Sequence, residues 1–93
     1  VYRVITIIGF VAAILTTSAF IPQALKTIKT KDTSGISLMM YILFTVGIFG
    51  WFIYGLLITD YALILANGIA AFFSATILFY KVKNVKNGVD QLK

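Results

Sequence analysis

Ninety-three residues with a hydrophobic fraction of 60% and a mean hydropathy of +0.99 are too few and too apolar for a water-soluble core, so part of the solvent is lipid. With no Cys, no His and three Asp as the only carboxylates, the chain lacks thiol chemistry, the usual metal-ligand sets and the groups of acid–base or nucleophilic catalysis; it reads as no enzyme and needs no metal or cofactor. The net charge of +5 lies between and beyond the apolar stretches, which fits membrane orientation and not nucleic-acid binding.

Charged residues divide the chain into three spans within a single three-helix transmembrane domain over 1–93. After Arg3 nothing is charged from Val4 to Leu25. At a rise of about 1.5 Å per residue, roughly 20 residues cross a hydrocarbon core of about 30 Å, and the spacing predicts a first helix over 4–25. Arg3 followed by an apolar run and Thr17-Ser18-Ala19 loosely resembles a cleaved signal peptide. The apolar character continues through Phe20-Ile21-Pro22, and the basic cluster follows the run; a retained helix is the better reading. Near its inner end Pro22-Gln23 removes one backbone hydrogen bond. With Thr16, Thr17 and Ser18 before it, this makes a polar, bendable segment suited to a hinge.

The polar link Lys29–Gly35 follows, and Ser37 is placed to cap the N-terminus of a second helix over 37–58. On it Phe44, Gly47, Trp51, Tyr54 and Ile58 recur at three- and four-residue steps and share a face. Thr59-Asp60 leaves room only for a tight antiparallel hairpin, with Asp60 capping a third helix over 61–80. Beyond it lies a basic tail over 81–93.

Seven Lys fall on the side of the first link and the tail, against Arg3 on the other. The excess of positive charge on cytoplasmic loops then puts the C-terminus in the cytoplasm and the N-terminus outside. Counted from the helix centres, Trp51 and Asn67 both lie about 5 Å outward of the midplane at the helical rise. A tryptophan that anchors a helix at the interface sits roughly 15 Å out, so Trp51 is too deep for that task. A buried amide needs partners, and helix packing alone would supply them. A flat ring beside an amide at one depth instead fits a sugar-sized ligand, with stacking for its C–H faces and hydrogen bonds for its hydroxyls.

Taken in order, Thr16-Thr17, Phe20-Ile21-Pro22-Gln23, Lys26-Thr27, Thr33, Gly35-Ile36-Ser37, Met40-Tyr41, Gly47, Trp51, Tyr54-Gly55, Asp60 and Asn67 resemble the bacterial SemiSWEET sugar transporters of the PQ-loop (MtN3/saliva) family. The resemblance covers about residues 9–80. It implies an all-α membrane protein, a three-helix bundle in the spatial order 1-3-2, paired as a parallel homodimer in the bacterial inner membrane. It also implies that Trp51 and Asn67 of both copies bind the sugar, that Tyr54 and Asp60 form the outer gate and Phe20 and Met40 the inner gate, and that Pro22 is the hinge with Gln23 beside it. Many relatives carry a basic residue two positions before the outer Asp. Ile58 stands there, which argues against a salt-bridged outer gate and for closure by Tyr54 and packing.

Three packed helices leave no route for a sugar, so a second copy is required, related by an axis along the membrane normal. No ionisable residue lies inside a span, which predicts facilitative uniport of a mono- or disaccharide by alternating access in place of proton coupling. The alternatives are a PQ-loop carrier of another small solute such as an amino acid, and a membrane accessory subunit that transports nothing.

Overall fold

A chain surrounded by hydrocarbon must satisfy its backbone N–H and C=O groups within each span, and helices do this. In the computed structural model, which describes residues 1–90, the helices are α1 (Tyr2–Thr30), α2 (Leu38–Ile58) and α3 (Tyr61–Lys86). All three are long and apolar enough to cross a membrane, and no strand occurs among the described residues.

The helix starts follow local chemistry. The Ser37 hydroxyl accepts the Met40 N–H at 3.4 Å, and an Asp60 carboxylate oxygen accepts the Leu63 N–H at 3.2 Å, each satisfying a donor that the first turn leaves open. The ends differ from those expected from charge. α1 runs past Leu25 to Thr30, with the Thr27 and Thr30 hydroxyls turned back onto the Gln23 and Lys26 carbonyls at 3.0 and 2.9 Å. It stops at Lys31, whose left-handed φ of 56° turns the chain out of the helix. α3 likewise continues past Tyr80 to Lys86. The stretch expected as a basic tail is therefore helical over 81–86, and Lys81 is wholly buried in it; 91–93 lie outside the described residues. Charge marks where lipid ends, and the helix is free to continue into water.

α2 and α3 form the tight hairpin. A Cβ added to Gly55 would stand 2.9 Å from the Leu63 Cβ and 3.3 Å from the Ile64 nitrogen, so the turn closes only with no side chain there. Thr59 at φ 55° and the Asp60 N–H to Gly55 carbonyl bond of 2.9 Å complete it. Farther along, Phe52 lies against Gly68, and the buried hydroxyls of Thr45 and Ser74 share a hydrogen bond of 2.5 Å. These three pairings set one antiparallel register.

α3 packs against both other helices, while α1 and α2 have no close backbone approach; the order is 1-3-2. The two outer helices converge at the lysine-rich end, where Ala24, Tyr41 and Ile77 form the buried cluster. Elsewhere large apolar side chains point outward, including Ile14, Leu43, Leu57 and Phe72, each more than 60% exposed. The accessible surface of 6627 Å² exceeds the roughly 5,400 Å² of a soluble monomer of this mass, as suits a slender bundle 53 Å long solvated by acyl chains.

Candidate functional site

Because α1 and α2 both lean on α3 without meeting each other, a cleft of about 620 Å³ opens between them. Its walls are small: Gly9, Ala12 and Ala13 on α1 face Ala62, Ala66 and Ala70 on α3. Residues at three- and four-residue steps share a helix face, so small side chains at those steps leave one long trough. Four polar residues line it: Thr16 and Thr17 from α1, Asn67 partway down α3, and Asp60 at the mouth opposite the lysine-rich end. A mostly apolar space of several hundred Å³ with a few placed polar groups is what a small organic solute fits.

The polar groups are partly committed. Thr16 donates its hydroxyl to the Ala12 carbonyl at 3.0 Å, so toward a ligand it offers an acceptor. Asn67 donates one amide N–H to the Leu63 carbonyl at 3.0 Å, which leaves its carbonyl oxygen and a second N–H for a solute. One Asp60 oxygen caps α3, and among the described residues no cation lies within 4.0 Å of its carboxylate. Among the described residues no three His, Cys, Asp or Glu side chains converge to hold a metal ion.

Phe20 of α1 and Phe44 of α2 bound the trough toward the lysine-rich end, their ring centroids 6.4 Å apart. The same two rings line a second cleft of about 310 Å³ beyond them, together with Gln23, Thr27, Met40 and Tyr41. Phe20 and Met40, expected together at the inner gate, thus share one cleft, with Gln23 in its wall. Pro22 is exposed, within a helix assigned without interruption from Tyr2 to Thr30. Phe44 was legible only as a member of the α2 face; its place opposite Phe20 depends on how α1 crosses α3, which no local pattern encodes.

Trp51 and Tyr54 stand apart from the trough of a single protomer. Their rings meet edge to face, centroids 5.5 Å apart and planes at 86°, and both are about half exposed. The hairpin register puts Trp51 level with Asn67, and Trp51 lies three residues along α2 from Ile48, which does line the trough. Phe44, Gly47, Trp51, Tyr54 and Ile58 are all exposed along one strip of α2. A Cβ at Gly47 would meet nothing within 4 Å, and α2 packs on α3 through the neighbouring strip, with Tyr41, Thr45, Ile48 and Gly55 buried.

This bundle order and face pattern correspond to a known group. A family profile described as "Sugar efflux transporter for intercellular exchange" matches residues 3–87. The chain belongs to that family. It is 50% identical over 76 residues, 82% of this chain and 89% of the relative, to a protein of Leptospira biflexa named "Sugar transporter SemiSWEET". It is 42% identical over 80 residues, 86% of this chain and 90% of the relative, to one of the same name from Escherichia coli. The fold superposes on a crystal structure of a SemiSWEET in the inward-open conformation with a TM-score of 0.86, at 40% identity and 92% coverage of both chains. The three spans make this member of the family an integral membrane protein.

Proposed function

We propose that the protein carries a mono- or disaccharide down its concentration gradient by alternating access, as a parallel homodimer in the bacterial inner membrane with the lysine-rich end in the cytoplasm. The Leptospira biflexa and Escherichia coli relatives, of similar length, are named sugar transporters. The observation that carries the proposal is the open trough. One protomer supplies Asn67, Thr16 and Thr17 along an unclosed groove and leaves Trp51 on an apolar face beside it. A second copy related by an axis along the membrane normal would close the groove and bring two indoles and two amides to one chamber.

In this arrangement Trp51 stacks on the sugar's C–H faces and Asn67 bonds its hydroxyls. Tyr54 and Asp60 close the outer mouth, Phe20 and Met40 the inner one, and Pro22 with Gln23 beside it lets α1 bend between the two states. Ile58 supplies no cation to Asp60, so outer closure rests on Tyr54 and packing. The trough contains no ionisable side chain below Asp60, and Lys81 is held at the end of α3 away from it; no relay for a coupled proton is built in, which favours uniport. Purified protein in vesicles tests this. Labelled sugar should equilibrate without accumulating under a pH gradient. Trp51→Ala and Asn67→Ala should each stop uptake while the dimer persists; full uptake in both variants would remove the site.

A further inference from the structure

At the lysine-rich end lies a buried polar cluster that takes no part in lining the trough. Lys81 is wholly buried. Its ammonium donates to the Thr33 carbonyl at 3.1 Å and to an Asp90 carboxylate oxygen at 2.9 Å. The Thr33 hydroxyl, 1% exposed as a residue, donates to the same Asp90 oxygen at 2.7 Å and accepts from the Asn84 amide at 2.9 Å. Asn84 donates as well to the Lys31 carbonyl at 3.0 Å. Its own carbonyl accepts the Val89 and Asp90 N–H groups at 2.9 and 3.1 Å. Gly88 at φ 74° reverses the chain so that Asp90 returns to Lys81.

Thr33 and Lys31 belong to the connection between α1 and α2, whereas Lys81, Asn84 and Asp90 belong to α3 and the turn after it. The cluster therefore ties the junction of the two outer helices to the end of the central one. Buried ionic networks are favourable only when every member is satisfied, and losing one member leaves a costly remainder; such a network has one arrangement and resists gradual deformation. By contrast, farther along, Gly9 of α1 faces Ala62 of α3 with room for a methyl between them (an added Cβ would stand 3.7 Å from the Ala62 Cβ), and among the described residues no side-chain hydrogen bond joins Tyr2–Thr30 to α3.

We propose that Lys81, Asp90, Thr33 and Asn84 form a fixed joint that keeps the α1–α2 connection on the end of α3 through every step of transport, so that the helices pivot from this end without parting there. The joint rests on the alternating-access reading above, and its residues act by positioning, without touching the sugar.

The chain has no cysteine, and Lys31 Nζ lies 5.8 Å from the Tyr80 ring centroid. Lys31→Cys with Tyr80→Cys therefore allows a cleavable bis-methanethiosulfonate linker, whose sulfinate groups leave as each thiolate forms its disulfide, to span the joint while its buried side chains stay native. Bridged protein, identified by the added linker mass and the loss of both free thiols, with monomer size on a denaturing gel excluding links between copies, should move sugar within about twofold of the unbridged rate. Loss of more than about tenfold, restored by cleaving the linker, would show that the connection must lift away and would overturn the joint. Asp90→Asn should slow maximal flux about fivefold with little change in half-saturation, the split expected of a positioning group. It should also speed exchange of the Ile36 amide, whose N–H bonds the Thr33 carbonyl at 3.0 Å. Unchanged exchange at Ile36 overturns the joint even in vesicles where the native protein moves no sugar, whereas absence of native transport alone overturns the transport reading. If Asp90→Asn does not fold, the bridged pair still decides.

Discussion

Phe20 and Phe44 meet across the gap between the two outer helices and line both the larger trough and the smaller cleft beyond it. On the proposed transport route, a solute passing from one space to the other would displace this pair of rings. Tilted aromatic pairs contribute about 0.5–1.5 kcal/mol beyond their buried area, enough to hold a closed state without forbidding its opening. Phe44→Ala should therefore weaken the partition more than the binding of sugar. Counterflow, in which unlabelled sugar on one side speeds entry of label from the other, should fall by about fivefold, while passive leak rises. Native counterflow in this variant would mean that the rings do not separate the two spaces.

Asn67 offers a carbonyl oxygen and one free N–H toward the trough. Replacing it by Leu removes both and keeps the branching of the side chain. A hydrogen bond to a neutral group contributes about 0.5–1.5 kcal/mol net, so two correspond to a rise in half-saturation of roughly tenfold to a hundredfold. Asn67→Asp keeps an acceptor, places a charge in an apolar trough, and should be at least as harmful. Sugar analogues lacking one hydroxyl discriminate among outcomes. The analogue that loses affinity with native protein and not with Asn67→Leu identifies the hydroxyl that Asn67 reads. If every analogue loses the same factor on both proteins, Asn67 does not contact the sugar.

The parts of this fold that were legible in the sequence depend on near neighbours or on solvent. Ser37 and Asp60 stand three residues before the amides they cap, and the three spans follow from where charge is absent. What was hidden depends on contacts between distant residues. Lys81 reads as the first residue of a solvated tail, and the Thr33 carbonyl and the Asp90 carboxylate make its burial tolerable; Thr33 lies 57 residues before Asp90. Helical periodicity on α2 grouped Phe44, Gly47, Trp51 and Tyr54 on one strip but could not say that α3 packs on the strip beside it. Trp51 and Asn67 share a depth because Gly55 permits the hairpin to close, and they reach one chamber only if a second copy supplies the facing wall.

Glycines in this chain differ in kind, and substitution separates them. At Gly55 an added methyl would overlap Leu63 and press on the α3 backbone. Overpacking of this kind costs about 1–3 kcal/mol, so Gly55→Ala should lower the unfolding midpoint in detergent and loosen the turn that aligns Trp51 with Asn67. At Gly50 and Gly47 a methyl meets nothing within the protomer, so Ala there should leave protomer stability unchanged or slightly raised, since glycine is the weaker helix former. A shift in dimer association in Gly47→Ala or Gly50→Ala, measured by dilution in micelles, would locate the subunit contact on that face. An equal loss of stability at all three positions would contradict the packing of α2 on α3.

Asp32 lies in the connection between α1 and α2, outside the lipid. Its carboxylate accepts the Ser34 hydroxyl at 2.7 Å and the Ser34 backbone N–H at 3.1 Å. These two bonds, the hydroxyl first, hold its pKa below the ordinary 3.8, against smaller opposing effects of desolvation and of the Asp90 charge. A carboxyl whose folded pKa is depressed stabilises the fold above its unfolded value, and that contribution disappears as pH falls through the folded value. The turn should thus persist at neutral and mildly acidic pH and loosen only below 3.8. Ser34→Ala removes the larger of the two bonds and should move the Asp32 titration upward, read from carboxyl carbon shifts of the protein in micelles. Because Asp32 is fully exposed, solvent screens the effect, and thermal stability at neutral pH should barely change. A titration of Asp32 that ignores Ser34→Ala would mean that the side-chain bond does not form in solution.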